Sequence, residues 1–235
     1  MKRAVIFDLG NTLVSYYTRD QWPDILAAGI SQVAEGLRAR GLLRVAPQEL
    51  PARVAAERGS GTDHRVRPLA GRLARVFGLT AEEMADELAE DLCRHFMRPI
   101  FATARRYDDV LPTLAELRRR GLRLGILSNT PWGSPAGLWR EEIARHDLTR
   151  AVDEAVFCED VGWRKPDPRA FEFVLGRLGA AAGESLFVGD DPRWDLAGPA
   201  GVGMDAVLID RHGTAGDTGA IHGLTELLDR LGQHG

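Results

Sequence analysis

Four sets of polar residues stand directly after short apolar runs, and their types suit chemistry at phosphorus. The run Ala4–Leu9 carries Asp8 and leads into Gly10-Asn11-Thr12, and the run Leu122–Leu127 is followed by Ser128-Asn129-Thr130. The run Ala155–Cys158 leads to Lys165, within Trp163-Arg164-Lys165-Pro166-Asp167-Pro168. The run Ser185–Val188 ends in Gly189-Asp190-Asp191, with Asp195 close behind. A carboxylate such as Asp8 can attack phosphorus and form a phosphoaspartate. A carboxylate facing a phosphate dianion is repelled, so a cation must lie between them. Mg²⁺ suits a site of one or two carboxylates, waters and a phosphate oxygen. Asp8 and Asp190 are the candidate ligands, with the Gly10 carbonyl a third, and Asp191 and Asp195 are candidates to hold bound waters or orient the ligands. Ser128 and Lys165 are candidates to stabilise the other phosphate oxygens, and Asn129 to bind substrate beside them.

Lys165 has a second claim to notice. Lysine and arginine together number 30, yet Lys2 and Lys165 are the only lysines. Arginine is a planar fork, whereas lysine is a compact ammonium that can sit against one oxygen as a point charge. A chain that otherwise writes arginine and keeps Lys165 is expected to need that compact charge.

These groups can meet only if the apolar runs are adjacent buried strands. The fifth run is Ala206–Ile209. Helical patterns at Val110–Arg120, Arg169–Leu178 and Trp194–Gly201 lie among them, and a final helix is expected at His222–Leu231 after a mobile loop over 211–220. Strands alternating with helices predict a parallel sheet covered on both faces, a Rossmann-like α/β core. Ligands then bind beyond the carboxyl ends of the strands. Between the first two runs lie about a hundred residues with no strand-like run, too long for a loop. They read as helices at Trp22–Arg40, Pro47–Glu57, Arg67–Phe77 and Ala81–Phe96, the last opened by a capping box at Thr80-Ala81-Glu82-Glu83. The expected division is an all-helical insertion over 14–104 in a core made of 1–13 and 105–235.

Composition removes other classes. A net charge of −4, with arginines interleaved among acids, gives no nucleic-acid footprint. No apolar stretch approaches a membrane span and the N-terminus has no signal-peptide plan, so a cytoplasmic protein is expected. Cys93 and Cys158 are too far apart for a metal or redox motif and read as buried free thiols.

In order and spacing the four motifs resemble those of the haloacid dehalogenase superfamily of aspartate-nucleophile hydrolases, and the helical insertion resembles its type-one cap. The resemblance implies a Mg²⁺-dependent phosphatase acting on a small phosphorylated metabolite through Asp8. The chain departs from the family at Gly10, where a second aspartate ordinarily protonates the leaving group and activates water. Such acid–base help is worth roughly 10²–10⁴-fold, and the Asn11 amide does not titrate. Three readings accommodate the glycine. The protein uses a good leaving group or borrows an acid or base from the cap, with Asp63 and His64 the candidates although both read first as exposed loop residues. It is a dehalogenase, whose relatives also lack that aspartate but need no acidic fourth motif. Or it is a catalytically weak binding or regulatory member. Trp132, Trp163 and Trp194 stand near the motifs and suit either a pocket or packing at the sheet rim. Trp22 and Trp139 read as structural, and Thr12 as a brace of the first turn.

Overall fold

The computed structural model describes residues 2–58, 63–213 and 219–232. In chain order the elements are β1 (Ala4–Phe7), β2 (Val14–Ser15), α1 (Trp22–Ala39), α2 (Leu50–Arg58), α3 (Leu69–Phe77), α4 (Asp86–Ala102), β3 (Arg105–Arg106), α5 (Val110–Arg119), β4 (Arg123–Ser128), α6 (Ala136–Arg145), β5 (Glu154–Phe157), α7 (Cys158–Val161), α8 (Pro168–Leu178), β6 (Ser185–Gly189), α9 (Pro192–Asp195), α10 (Ala197–Gly201), β7 (Asp205–Leu208) and α11 (Thr225–Gly232). The five apolar runs form one parallel sheet in the order β5-β4-β1-β6-β7. Along β1, Ala4 and Ile6 join a core with Phe171, Val174 and Phe187, while Val5 and Phe7 join the opposite core with Leu114, Leu117 and Leu227. Helices cover both faces, which is why the strands are apolar without alternation.

The register sets the working edge. Phe7 lies opposite Ile126 on one side and Val188 on the other. The Asp8 amide still donates to the Val188 carbonyl at 2.8 Å, so Asp8 emerges beside the ends of both neighbouring strands. Strand ends that carry Ser128 and Asp190 flank the one that carries Asp8.

The described residues between β2 and β3 form helices and loops and add no strand to the sheet. Val14 pairs with Arg106 and Ser15 with Arg105, so the chain leaves and re-enters the α/β part through a short antiparallel ribbon. α1 and α4 pack together through stripes that include Val33 and Leu37 on one helix and Leu92, Phe96 and Ile100 on the other. The expected Thr80 capping box forms, with Thr80 N–H donating to Glu83 Oε2 at 2.9 Å and Glu83 N–H to Thr80 Oγ1 at 3.2 Å. It closes only a single turn, because Ala85 is extended at ψ 155° and α4 begins after it. The expected helix over Trp194–Gly201 is two short pieces, since Pro199 lacks the N–H that would bond the carbonyl of Asp195.

The expected mobile loop is partly anchored. Residues 214–218 lie outside the described residues, but Arg211 donates to Asp109 Oδ2 at 2.7 Å and to the Thr12 carbonyl at 2.8 Å, and stacks on Tyr107. That bond, made to the Thr12 main chain, ties the C-terminal region to the turn after β1. The Thr12 hydroxyl itself is buried with no hydrogen-bond partner among the described residues. Both cysteines are buried and free.

Candidate active site

Lys165 is a fully buried charge at the floor of the cleft. It is 1% exposed, and its Nζ donates to Asp8 Oδ1 at 2.8 Å and to Asp195 Oδ1 at 2.7 Å, with the Phe187 ring 5.0 Å away. Burial alone would pull its amine down, but Asp195 and Asp8 outweigh that and hold it above its usual value. Its main chain is fixed from β4: the Lys165 N–H donates to Asn129 Oδ1 at 2.8 Å, and Asn129 Nδ2 donates to the Lys165 carbonyl at 3.1 Å. Asn129, expected to bind substrate, therefore has its amide engaged in positioning Lys165.

The acidic group is larger than one lysine can balance. Oxygens of Asp8, Asp190 and Asp195 lie within 4.8 Å of one another. Asp195 is held by Lys165 and by the Asp191 N–H at 3.1 Å. It packs so closely on Gly189 that a Cβ there would stand 2.3 Å from Asp195 Oδ2, which explains the glycine at the end of β6. Asp190 receives no hydrogen bond among the described residues, and burial followed by the charges of Asp8 and Asp195 raises its pKa well above the ordinary carboxylate range. Three crowded carboxylates with one ammonium form an oxygen donor set that fits a hard divalent cation. Asp191 does not share in this set. It caps α9 through the Arg193 N–H at 3.0 Å, and both of its oxygens pair with the Arg193 side chain.

Ser128 is buried at the end of β4, its hydroxyl making only a long 3.4 Å contact to the Asn129 carbonyl, and it lines the same cleft. Gly10 lies in the turn that Asn11 organises, with Asn11 at φ 53° and its Nδ2 donating to the Tyr17 carbonyl at 3.1 Å. A Cβ at Gly10 would meet nothing nearer than Tyr16 Cδ2 at 3.9 Å. The lost side chain has therefore not been replaced by close packing. The cleft measures about 500 Å³.

The helical segment borders that cleft. Val66 N–H donates to the Gly162 carbonyl at 2.9 Å, Arg164 N–H donates to the His64 carbonyl at 3.0 Å, and Arg65 bridges to Trp163 as an antiparallel pair. Neither suggested acid–base substitute lines the cleft: Asp63 pairs with Arg67 at 3.1 Å, and the His64 ring stands edge-on to Trp194. Trp132 and Trp194 are in the wall, as are Trp22 and Trp139, while Trp163 is stacked between Arg65 and Arg169 instead. Tyr16 and Tyr17 also line it, and burial, with help from the charge of Asp8, holds both phenols protonated far above neutrality. The Tyr16 hydroxyl is buried without a hydrogen-bond partner among the described residues. The sequence signal for these two was only their place directly after the first motif.

Comparison with known proteins places the chain among relatives of known fold and family. The chain is 39% identical over 132 residues to a phosphoserine phosphatase of Thermus thermophilus, a match covering 56% of this chain and 49% of that protein. It is 30% identical over 214 residues to a phosphoglycolate phosphatase of Rhodospirillum rubrum, covering 89% of this chain and 80% of that one. It spans about half the length of several curated relatives that it matches. The crystal structure of a 2-haloacid dehalogenase from Pseudomonas syringae superposes over the full length of both chains with a TM-score of 0.72 at 25% identity. The model of the haloacid dehalogenase-like hydrolases matches residues 2–203, and this chain belongs to that family of hydrolases.

Proposed function

We propose that the chain is a Mg²⁺-dependent phosphatase that takes small phosphorylated metabolites, uses Asp8 as nucleophile, and favours substrates whose leaving group departs without a proton. The observation that carries this reading is the surplus of carboxylate around Asp190, which has no donor of its own and is pushed toward protonation by Asp8 and Asp195. Asp8, Asp190 and the Gly10 carbonyl would hold the ion, with Asp195 orienting Lys165. Bound there, Mg²⁺ supplies positive charge to a phosphoryl group that the carboxylates would otherwise repel.

In the first step Asp8 forms a bond to phosphorus while the bond from phosphorus to the ester oxygen breaks, and the leaving group takes the electron pair. Lys165 and the Ser128 hydroxyl donate to the phosphoryl oxygens as charge shifts onto them. Water then attacks the phosphoaspartate, releasing phosphate and restoring Asp8. Without a carboxylate at Gly10 both proton transfers are poorly served, which favours aryl and acyl over alkyl leaving groups. We assign 14–104 the role of a cap, because its residues 64–67 adjoin the motif loop and Arg65, Val66 and Arg67 line the cleft.

Gly10 also favours a second reading, halide displacement from a 2-haloacid, since halide leaves unprotonated. One screen separates them: aryl, acyl and alkyl phosphates and 2-haloacids, each with and without Mg²⁺. Phosphate release that requires Mg²⁺ is the expected result. Halide release independent of metal would replace this reading with the second, and silence toward every compound would leave a binding protein.

A further inference from the structure

The cleft is acidic at its floor and basic at its rim. Four arginines in its wall, Arg19, Arg65, Arg72 and Arg164, make no ion pair among the described residues, although the chain pairs most of its exposed arginines elsewhere. Arg72 is the least expected of them. It comes from α3, lies half-buried, and spends its hydrogen bonds on main-chain carbonyls, Glu57 at 2.7 Å and Arg67 at 3.3 Å. Its guanidinium stands 5.4 Å from the Trp132 ring. Burial lowers its pKa, and the charges of Arg67, Arg75 and Arg164 lower it further, partly offset by Glu57. Arg164 reaches the same region from the loop before Lys165, with only the Trp194 ring, 5.2 Å away, under its guanidinium.

Trp132 itself is held at φ 54°, a left-handed conformation that costs energy for a bulky residue, and it stacks on Phe96 at 5.7 Å. Gly133 allows the approach that brings Arg72 over it. A Cβ at Gly133 would stand 2.2 Å from the Arg67 carbonyl oxygen. The cleft wall thus carries two like charges, Arg72 beside Trp132 and Arg164 beside Trp194, and they repel each other unless an anion lies between.

We propose that Arg72 and Arg164, both in the wall of the cleft, form a second oxyanion subsite, so that the substrate carries a carboxylate or second phosphate remote from the phosphoryl group at Asp8. This rests on the phosphatase reading for the position of the first anion. The subsite takes one charge from the helical segment and one from the core, so a doubly anionic substrate would join the two.

Affinity for non-hydrolysable compounds tests the subsite without turnover. ω-Phosphonocarboxylates from phosphonoacetate to 5-phosphonopentanoate are compared by calorimetry, in Mg²⁺, with n-alkylphosphonates of equal length. α,ω-Alkylenediphosphonates distinguish a second phosphate from a carboxylate. At one chain length, the second anion should tighten binding to the wild type at least tenfold. That ratio should fall to near one in Arg72→Gln and in Arg164→Gln. Arg72 also holds two carbonyls, so its loss can loosen the fold. Arg164 makes no side-chain hydrogen bond among the described residues, and its variant keeps the test decisive. A ratio near one at every length in wild type, failure of all the phosphonates to bind, or a ratio retained in Arg164→Gln would overturn the proposal. Failure of the phosphatase reading shows separately, as absence of phosphate release from any ester in the earlier screen.

Discussion

Lys165 is bonded on both sides inside the core, and that geometry decides what can replace it. Arginine carries the same charge but is longer and forked, and at 1% exposure there is no room for the extra atoms between Asp8 and Asp195. Lys165→Arg should lower turnover of the best substrate at least about 10²-fold, the lower range for loss of a preorganised donor. Wild-type rates in that variant would show that the compact charge is dispensable. At Gly10 the expectation has the opposite sign. Space for a side chain is present, so Gly10→Asp should fold, and it should raise alkyl phosphate turnover by about 10²-fold, within the usual range of acid–base help. In the wild type, slow water attack should let phosphoenzyme accumulate and give a burst with aryl phosphates. Equal rates on alkyl and aryl esters with no burst would point to another proton donor, and Tyr16 and Tyr17 are then the groups to test. Asp8, Ser128 and Asp190 were legible in the sequence because each stands at the end of an apolar run, and Lys165 because lysine is otherwise so rare in the chain. Arg72, Tyr16 and Tyr17 were not, because only the folded path of 14–104 brings them to the cleft.

Among the elements, those that bury a continuous apolar stretch were the easiest to read. All five sheet strands lie within a residue or two of the apolar runs. The β2–β3 ribbon is only two residues long in each strand, too short for any periodicity to register. α6 has no clear stripe because its buried face includes Glu142, which is 2% exposed and paired with His146 and Arg145. Boundaries in the helical segment drifted for local reasons, as at Ala85, where an extended residue separates a well-formed capping box from the helix it was expected to start. Among the described glycines, Gly133 has the least room for a side chain, closed off by the Arg67 main chain. At φ +70° a Cβ is strained before any contact is made, and here it also strikes a backbone oxygen. Gly133→Ala should destabilise the protein by about 1–3 kcal/mol, the range for overpacking and for strained backbone. Its KM should rise more than its kcat falls, since the change displaces the Arg67 region and leaves Lys165 in place. A melting curve and kinetics on one substrate check both, and a variant as stable as wild type would mean that the seam opens without cost.

For the molecule as a whole, the three crowded carboxylates oppose folding until something offsets them. Asp190→Asn should therefore melt higher than wild type in metal-free buffer, because it removes a buried repulsion. Mg²⁺ at 100 times its Kd adds about 2.7 kcal/mol, which for a chain of this size is a rise of about 5–10 °C in Tm. Wild type should show that rise and Asp190→Asn should lose most of it. Equal rises in both would place the ion elsewhere. Among the described residues no helix is long and apolar enough to cross a membrane. The seam between the helical segment and the motif loop has a different kind of consequence. It is made by the peptide groups of Val66, Gly162, His64 and Arg164, and peptide groups are common to all residues. Only proline at 66 or 164 would delete a donor. Descendants of this chain can exchange the side chains of residues 64–67 and keep the same docking register. The strip beside Lys165 is thus free to diversify, and new specificities can be sampled there without first rebuilding the attachment that presents them.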